Sequence, residues 1–219
     1  MVQQPPYKIQ KEDLLREDET SDNNFYSTPR FVHHIDDRAR FILSRFYKHM
    51  IVQQQETQTL DICSSWTSHL PQDWIGKVHG LGMNELELKH NPSLNNGYTV
   101  QDLNCDPKLN YSSDTFDAVI CSMSIDYLIQ PLEVFKEISR ILKSGGIFIT
   151  SFSNRCFSTK VIGRWLYMSE IDRVYWVGNY FLSSSDFNHQ TLCAYSIFDN
   201  IKQQDNFFDP MYVVFGYKK

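Results

Sequence analysis

QDLNCDPKLNYSSDTFDAVICSMSIDYLIQPLEVFKEISRILKSGGIFITSFSN, residues Gln101 to Asn154, sets the architecture. A strand ends here at the acidic Asp102. Phe116 to Cys121 is a short apolar run of the kind that forms a strand buried on both faces. Gln130-Pro131 opens a helix, because the missing proline N–H costs nothing in a first turn. Val134, Phe135, Ile138, Ile141 and Leu142 then recur at helical spacing. Gly145-Gly146 stops the helix, and Ile147 to Phe152 returns as a strand. A strand, helix and strand of this length cross over right-handed into a parallel sheet.

The same alternation continues on either side. Ser27-Thr28-Pro29 is a helix-start signal, and Ile35, Ala39, Ile42, Leu43, Phe46 and Met50 share one face of a helix ending near Val52. Strand one is expected at Thr59 to Cys63, a short turn-and-helix segment at Trp66 to Trp74, and strand two at Lys77 to Leu81. A short helix at Asn84 to His90 and strand three at Tyr98 to Asp102 follow. Beyond Asn154, Ser158 to Tyr167 and Ile171 to Phe181 read as helices. Thr191 to Ile197 and Met211 to Tyr217 read as an antiparallel terminal hairpin. Residues 1–24 form a polar, acidic extension or arm, and 25–219 one domain with an N-terminal lid helix.

Composition narrows the function. A chain of 219 residues suits one α/β domain with a sizeable core. A net charge of −5 gives no support to a nucleic-acid partner. The five cysteines are scattered singly, without metal-type spacing, which suggests reduced thiols in a cytoplasmic setting. No apolar run reaches the roughly 20 residues of a bilayer span, and the first segment resembles neither a signal nor a transit peptide.

FDAV at Phe116 to Val119, and RILKSGG at Arg140 to Gly146 with the strand behind it, resemble the class I S-adenosylmethionine-dependent methyltransferases. The resemblance runs from Phe25 to Lys219 and implies a Rossmann-like α/β fold. Its sheet would be seven-stranded and mostly parallel with the last strand reversed, and helices would cover both faces. S-adenosylmethionine would then lie across the carboxyl ends of the strands, where such sheets bind ligands.

At the first strand end the family carries an acid followed by alternating glycines. Asp61 is present, but Cys63, Ser65 and Thr67 stand at the glycine positions. The run SSWTSHLP, Ser64 to Pro71, resembles a methyltransferase-like subgroup in which Ser-Ser-Trp-x-Ser-His-Leu-Pro replaces the glycine loop. Ser64 and Ser65 are then expected to hold the cofactor carboxylate. The opposing reading is a loop that no longer binds the cofactor. At the second strand end Gly82 stands where the family has an acid for the ribose, so Asn84 or Glu85 is expected to substitute, with Met83 against the adenine. Asn84 also suits a plain helix N-cap. At the third, Asp102 is expected to meet the adenine amino group, with Leu103 and Asn104 along the ring edge. Its other reading is a turn residue. At the fourth, Cys121 is assigned to the cofactor, and Asp126 or Tyr127 to proton transfer beside the transferable methyl. The other reading is that they only shape the pocket, with Tyr127 packed beneath the following helix.

Arg30 and His34, placed at the head of the lid helix, and Arg155, after the fifth strand, are expected to bind an anionic small-molecule acceptor. The other readings are Arg30 on the cofactor carboxylate, His34 as a surface residue, and Arg155 capping a carbonyl or pairing with an acidic surface residue. No metal site is expected, since the adjacent His33 and His34 face apart on a helix. The rival function is a non-catalytic methyltransferase-like subunit that binds a protein partner. A nucleotide-dependent reductase is excluded, because Cys63-Ser64-Ser65-Trp66 supplies no glycine for a pyrophosphate.

Overall fold

The computed structural model describes residues 7–197 and 208–219. One sheet contains β1 (Gln58–Ile62), β2 (Lys77–Gly82), β3 (Tyr98–Val100), β4 (Phe116–Ser122), β5 (Leu142–Phe152), β6 (Cys193–Ile197) and β7 (Met211–Tyr217). Their order is β3-β2-β1-β4-β5-β7-β6. The pairs from β3 to β5 are parallel, and β7 runs antiparallel to both β5 and β6. β7 is therefore the reversed strand, and the expected hairpin forms with Cys193 opposite Phe215.

Each face of the sheet carries its own core. On one, α2 (Asp37–Met50) lays Ala39, Leu43 and Tyr47 over Val78, Ala118, Ile120 and Ile149. On the other, α4 (Pro131–Ile141) and α5 (Glu170–Ser183) bury Val134, Phe135, Ile138, Val177 and Phe181 against Leu60, Val119 and Phe148. Full burial of each such side chain stabilises the fold by about 1.5–3 kcal/mol. The predicted proline start of α4 and its apolar stripe are observed.

Several boundaries differ from the sequence reading. No helix starts at Ser27-Thr28-Pro29. α2 begins ten residues later by its own cap, where the Asp36 carboxylate accepts from Ala39 N–H at 2.8 Å. Backbone groups just before it are committed elsewhere. Asn84 Nδ2 donates to the carbonyls of Tyr26 and Ser27, and Arg30 N–H donates to Glu87. Arg30, His33 and His34 consequently lie on an irregular segment, not on a helix.

Trp66 to Trp74 contains turns and no helix. Ser158 to Tyr167 forms turns and a 3-10 segment at Gly163–Tyr167. There the N–H of Ile162 donates to Asp126 O, and that of Gly163 to Leu15 O. β3 ends at Val100, two residues short of Asp102. Gly145-Gly146 sits inside β5, with Gly145 at φ +76°, and both glycines pair with Lys218.

A short helix, α1 (Asp22–Phe25), ends an N-terminal arm. The arm from Tyr7 onward lies on the domain: Arg16 bridges to Ile162, and Asp18 N–H donates to Thr159 O. Residues 1–6 of the expected extension fall outside the described residues. Among the described residues no helix is long and apolar enough to cross a membrane.

Candidate functional site

The carboxyl ends of β1, β2, β3 and β4 open into one cleft of about 1200 Å³, part of it open to solvent. The segment from Asp22 to Ile35 forms its roof.

β1 delivers Asp61 to the cleft floor. Ser64 Oγ donates to its Oδ2 at 2.6 Å. Burial pushes the Asp61 carboxyl up to about 7, against the pull of the Ser64 and Ser68 hydroxyls. Cys63 follows at φ +53°. That left-handed conformation is native to glycine, so the chain turns here as a glycine loop would, with a side chain in place. The loop beyond is fixed from an unexpected quarter. Asn91, just past α3 (Glu85–His90), donates to Ser65 O at 2.8 Å and to Ser68 Oγ at 2.9 Å. Ser64 and Ser65 both line the cleft as expected.

β2 ends at Gly82 because nothing larger fits. A Cβ there would stand 2.1 Å from Ser64 O. The rebuilt β1 loop thus occupies the space beside the position where the family carries its ribose acid. Neither expected substitute is free to replace it. Asn84 caps α3, with its oxygen accepting from Leu86 and Glu87 N–H and its nitrogen donating to Tyr26 O and Ser27 O. Glu85 pairs with Lys89 and accepts from the Tyr98 hydroxyl. Glu87 is the acid from α3 that lines the cleft, with Oε1 2.6 Å from the Arg30 nitrogen. Met83 lines the cleft beside it.

Asp102, Leu103 and Asn104 line the β3 side. The Asp102 carboxylate accepts from Asn104 N–H at 2.9 Å and from the Cys105 thiol, which is the turn role. Asn104 is a hub: its side chain donates to Asp22 and to Tyr127 O and accepts from Ile129 N–H.

Past β4 the expectations divide. Tyr127 lines the cleft, where its hydroxyl accepts from Phe157 N–H at 2.8 Å. Burial, reinforced by Asp126, raises its pKa, so it stays protonated at neutral pH. Asp126 itself lies outside the cleft lining, buried, with its carboxyl pushed up to about 7 by desolvation. Cys121 is also outside, a core residue of β4. The sequence placed both in the site because they lie near a strand end; alternation along β4 turns Cys121 into the core, and Asp126 is buried in the 3-10 turn Ile125–Tyr127 beyond it.

From the roof, Arg30 and His34 line the cleft as expected. Arg30 Nη2 donates to Phe25 O, and its guanidinium lies 4.4 Å from the Phe25 ring centroid. His34 is exposed on its outer side; it meets Phe157 edge-on at 5.2 Å, and partial desolvation lowers its pKa. Arg155 does not join them. It pairs with Asp209 and is 64% exposed. The two arginines therefore do not converge on an anionic acceptor. The sequence reading also missed Asp22, Tyr26, Phe157 and His69, all in the lining. His69, in the SHLP run, sits at φ +55° with its pKa drawn by burial to about 4. Its signal was the run itself; Asp22, Tyr26 and Phe157 are brought in by tertiary contacts alone. The lining carries four acidic side chains, Asp22, Asp61, Glu87 and Asp102, against the guanidinium of Arg30. Asp22 is already paired with Arg16 and Lys160, and burial keeps Asp61 partly protonated near neutral pH, so the excess of negative charge is small. No group of three or more potential metal ligands occurs among the described residues.

Residues 64–150 match the sequence model of a methyltransferase domain. No curated protein matches the chain. Among solved structures it is similar to the PH0226 protein from Pyrococcus horikoshii, at 19% identity and TM-score 0.58, with 90% of this chain and 99% of that one covered. It is also similar, at 15% identity and TM-score 0.57, to the complex of the Haloferax volcanii Trm112 methyltransferase activator with its proposed methyltransferase partner. That match covers 82% of this chain and 90% of the other. A third likeness is to Haemonchus contortus phosphoethanolamine N-methyltransferase 2 in complex with S-adenosyl-L-methionine, at 12% identity and TM-score 0.56. It covers 81% of this chain and 52% of that one. At these identities the likeness establishes the fold: the chain is built on the Rossmann-like methyltransferase fold, and its residues 64–150 carry the sequence match to a methyltransferase domain.

Proposed function

We propose that the chain is an S-adenosylmethionine-dependent methyltransferase acting on a small molecule. The observation that carries this reading is the cleft at the ends of β1 to β4, whose lining is net acidic and which the matched segment 64–150 largely builds. The bound cofactor supplies a methyl group on a positively charged sulfonium. A net-acidic lining complements that charge. Cys63 keeps the glycine-like turn, so the missing glycines do not by themselves close the site.

In this reading Ser64, Ser65 and Thr67 face the amino-acid end of the cofactor and Glu87 holds the ribose hydroxyls, in place of the acid excluded at Gly82. Met83 and Leu103 sandwich the adenine, with Asp102 and Asn104 at the ring edge. Tyr26, Tyr127, Phe157 and His34 form the acceptor side. Its aromatic walls and the acidic lining suit an uncharged or cationic acceptor. Tyr127 holds its proton and orients the acceptor. His34, whose pKa is drawn below its ordinary value by partial desolvation at the cleft, takes a proton from an acceptor that carries one at neutral pH. The remaining work is alignment and exclusion of water.

Calorimetric titration with S-adenosylmethionine and with S-adenosylhomocysteine tests the reading. Saturable binding of either supports it. Absence of binding by both at millimolar ligand refutes it and favours the rival, a non-catalytic subunit. The Haloferax volcanii neighbour, a proposed methyltransferase in complex with a protein activator, supports a protein partner under either reading.

A further inference from the structure

Lys160 is fully buried, and its ammonium group meets the N-terminal arm. It lies 2.7 Å from Thr20 O, 3.3 Å from Asp18 O, 3.0 Å from the Asp18 carboxylate and 3.2 Å from that of Asp22. With the arm docked this ammonium is fully buried, and each of these partners comes from the arm, so arm and domain complete one another's polar contacts. The arm is therefore an integral part of the folded domain.

Its far end reaches the cleft. Asp22 is 3% exposed, and its carboxylate accepts from Arg16 Nη1 at 2.8 Å and from Asn104 Nδ2 at 2.9 Å. Burial alone would raise the pKa of Asp22, but these donors and Lys160 more than offset it and hold the carboxyl below its ordinary value. Asn104 in turn holds Tyr127 O and Ile129 N–H, and so joins the β3 wall of the cleft to the segment past β4. Four residues after Asp22, Tyr26 is pinned on the opposite side through Asn84 Nδ2. The arm is thus tied down on both sides of the cleft, by Lys160 and Asn104 at one end and by Asn84 and Glu87 at the other.

We infer that Asp22 and Lys160 are positioning residues for the cleft: docking of the arm through them, relayed by Asn104, is thermodynamically coupled to ligand binding in the cleft. This rests on the reading of the cleft as a cofactor site. Coupling is reciprocal, so whatever the docked arm adds to ligand affinity, the ligand adds to arm docking.

Trypsin cleavage after Arg16, followed by mass spectrometry with and without S-adenosylhomocysteine, tests this on the full chain. Arg16 is shielded while paired with Asp22. Saturating ligand is expected to slow that cut about tenfold, within the usual range of coupling energies. Lys160→Met is expected to speed the cut and to weaken S-adenosylhomocysteine by a similar factor. If Lys160→Met fails to fold by circular dichroism, Asp18→Ala, which removes one ammonium contact at a more exposed residue, gives a smaller change of the same sign. Ligand-dependent protection is something a merely structural arm would not show. Saturable binding with an unchanged rate of cleavage overturns the inference and leaves the cofactor reading intact. No binding at all overturns both.

Discussion

Gly82 is where the structure departs most clearly from the methyltransferase pattern, and the departure has a measurable consequence. Gly82→Ala puts a Cβ 2.1 Å from Ser64 O and 3.2 Å from Leu88 Cδ2. A carbon–oxygen contact is comfortable at about 3.3 Å, so the Ser64 carbonyl must retreat by about 1 Å. It has little freedom to do so. Ser64 N–H is tied to Leu81 O at 2.8 Å, and its hydroxyl to Asp61 at 2.6 Å. Overpacking of this kind costs about 1–3 kcal/mol, and weakening one hydrogen bond adds roughly 1 kcal/mol. The expected loss is about 2–4 kcal/mol. For a chain of this size that lowers Tm by roughly 5–15 °C.

Urea denaturation followed by circular dichroism, with calorimetry alongside, measures both quantities. Gly178→Ala serves as the control. Gly178 lies inside α5 with nothing within 4 Å of an added Cβ, so alanine there should stabilise by roughly 0.5–1 kcal/mol. A Gly82→Ala variant within about 0.5 kcal/mol of the native chain would refute the claim that Ser64 excludes a side chain at this strand end. The assignment of the ribose role to Glu87 would lose its reason at the same time.

Two further outcomes follow from the β1 end. Cys63→Gly should be more stable than Cys63→Ala by about 1 kcal/mol in the same denaturation assay, because both lose the thiol and only alanine keeps a Cβ at φ +53°; equal stability would mean that the backbone relaxes out of the left-handed region. Asp61 has its folded pKa raised from 3.8 to about 7, so its stabilising contribution is present below about pH 4 and is lost as pH rises through 7. Asp61→Asn should therefore gain Tm relative to the native chain steadily from pH 4 to pH 7.5, a comparison that cancels the opposite trend from His69, whose pKa is lowered to about 4; a difference independent of pH would show that Asp61 is ionised throughout.

The parallel sheet was legible because buried strands and the stripe of α4 are local patterns. Phe116 to Cys121 and Val134 to Ile141 announce themselves by hydrophobic period alone, and both appear where expected. Helix starts were misread wherever distant groups claim the backbone. The stretch from Tyr26 to Arg30 gives its carbonyls and an N–H to Asn84 and Glu87, some 57 residues away in sequence. The site divides in the same way. Strand ends placed Asp61, Ser64, Ser65, Met83 and Asp102 on one cleft, since their positions follow from topology. Side-chain direction was not legible, so Asp126 and Cys121 were placed in a cleft that they back away from.

Of the roof, Arg30 and His34 were expected and the anchoring of the arm was not. Asp22, Asn104 and Lys160 meet from three separate stretches of chain; Asn104 was expected at the adenine edge, while Asp22 and Lys160 alone read as ordinary polar residues. The chemistry of that meeting lies in burial. An exposed Asp–Lys pair contributes little, whereas with Lys160 at 0% exposure in the docked state, truncating either partner leaves the other buried and unpaired. What reads in the sequence as a polar, acidic leader is therefore held to the domain more firmly than its composition suggests. That firmness brings Asp22, Tyr26 and Arg30 to the mouth of the cleft, where the glycine-poor β1 loop and the closed Gly82 corner have altered the floor.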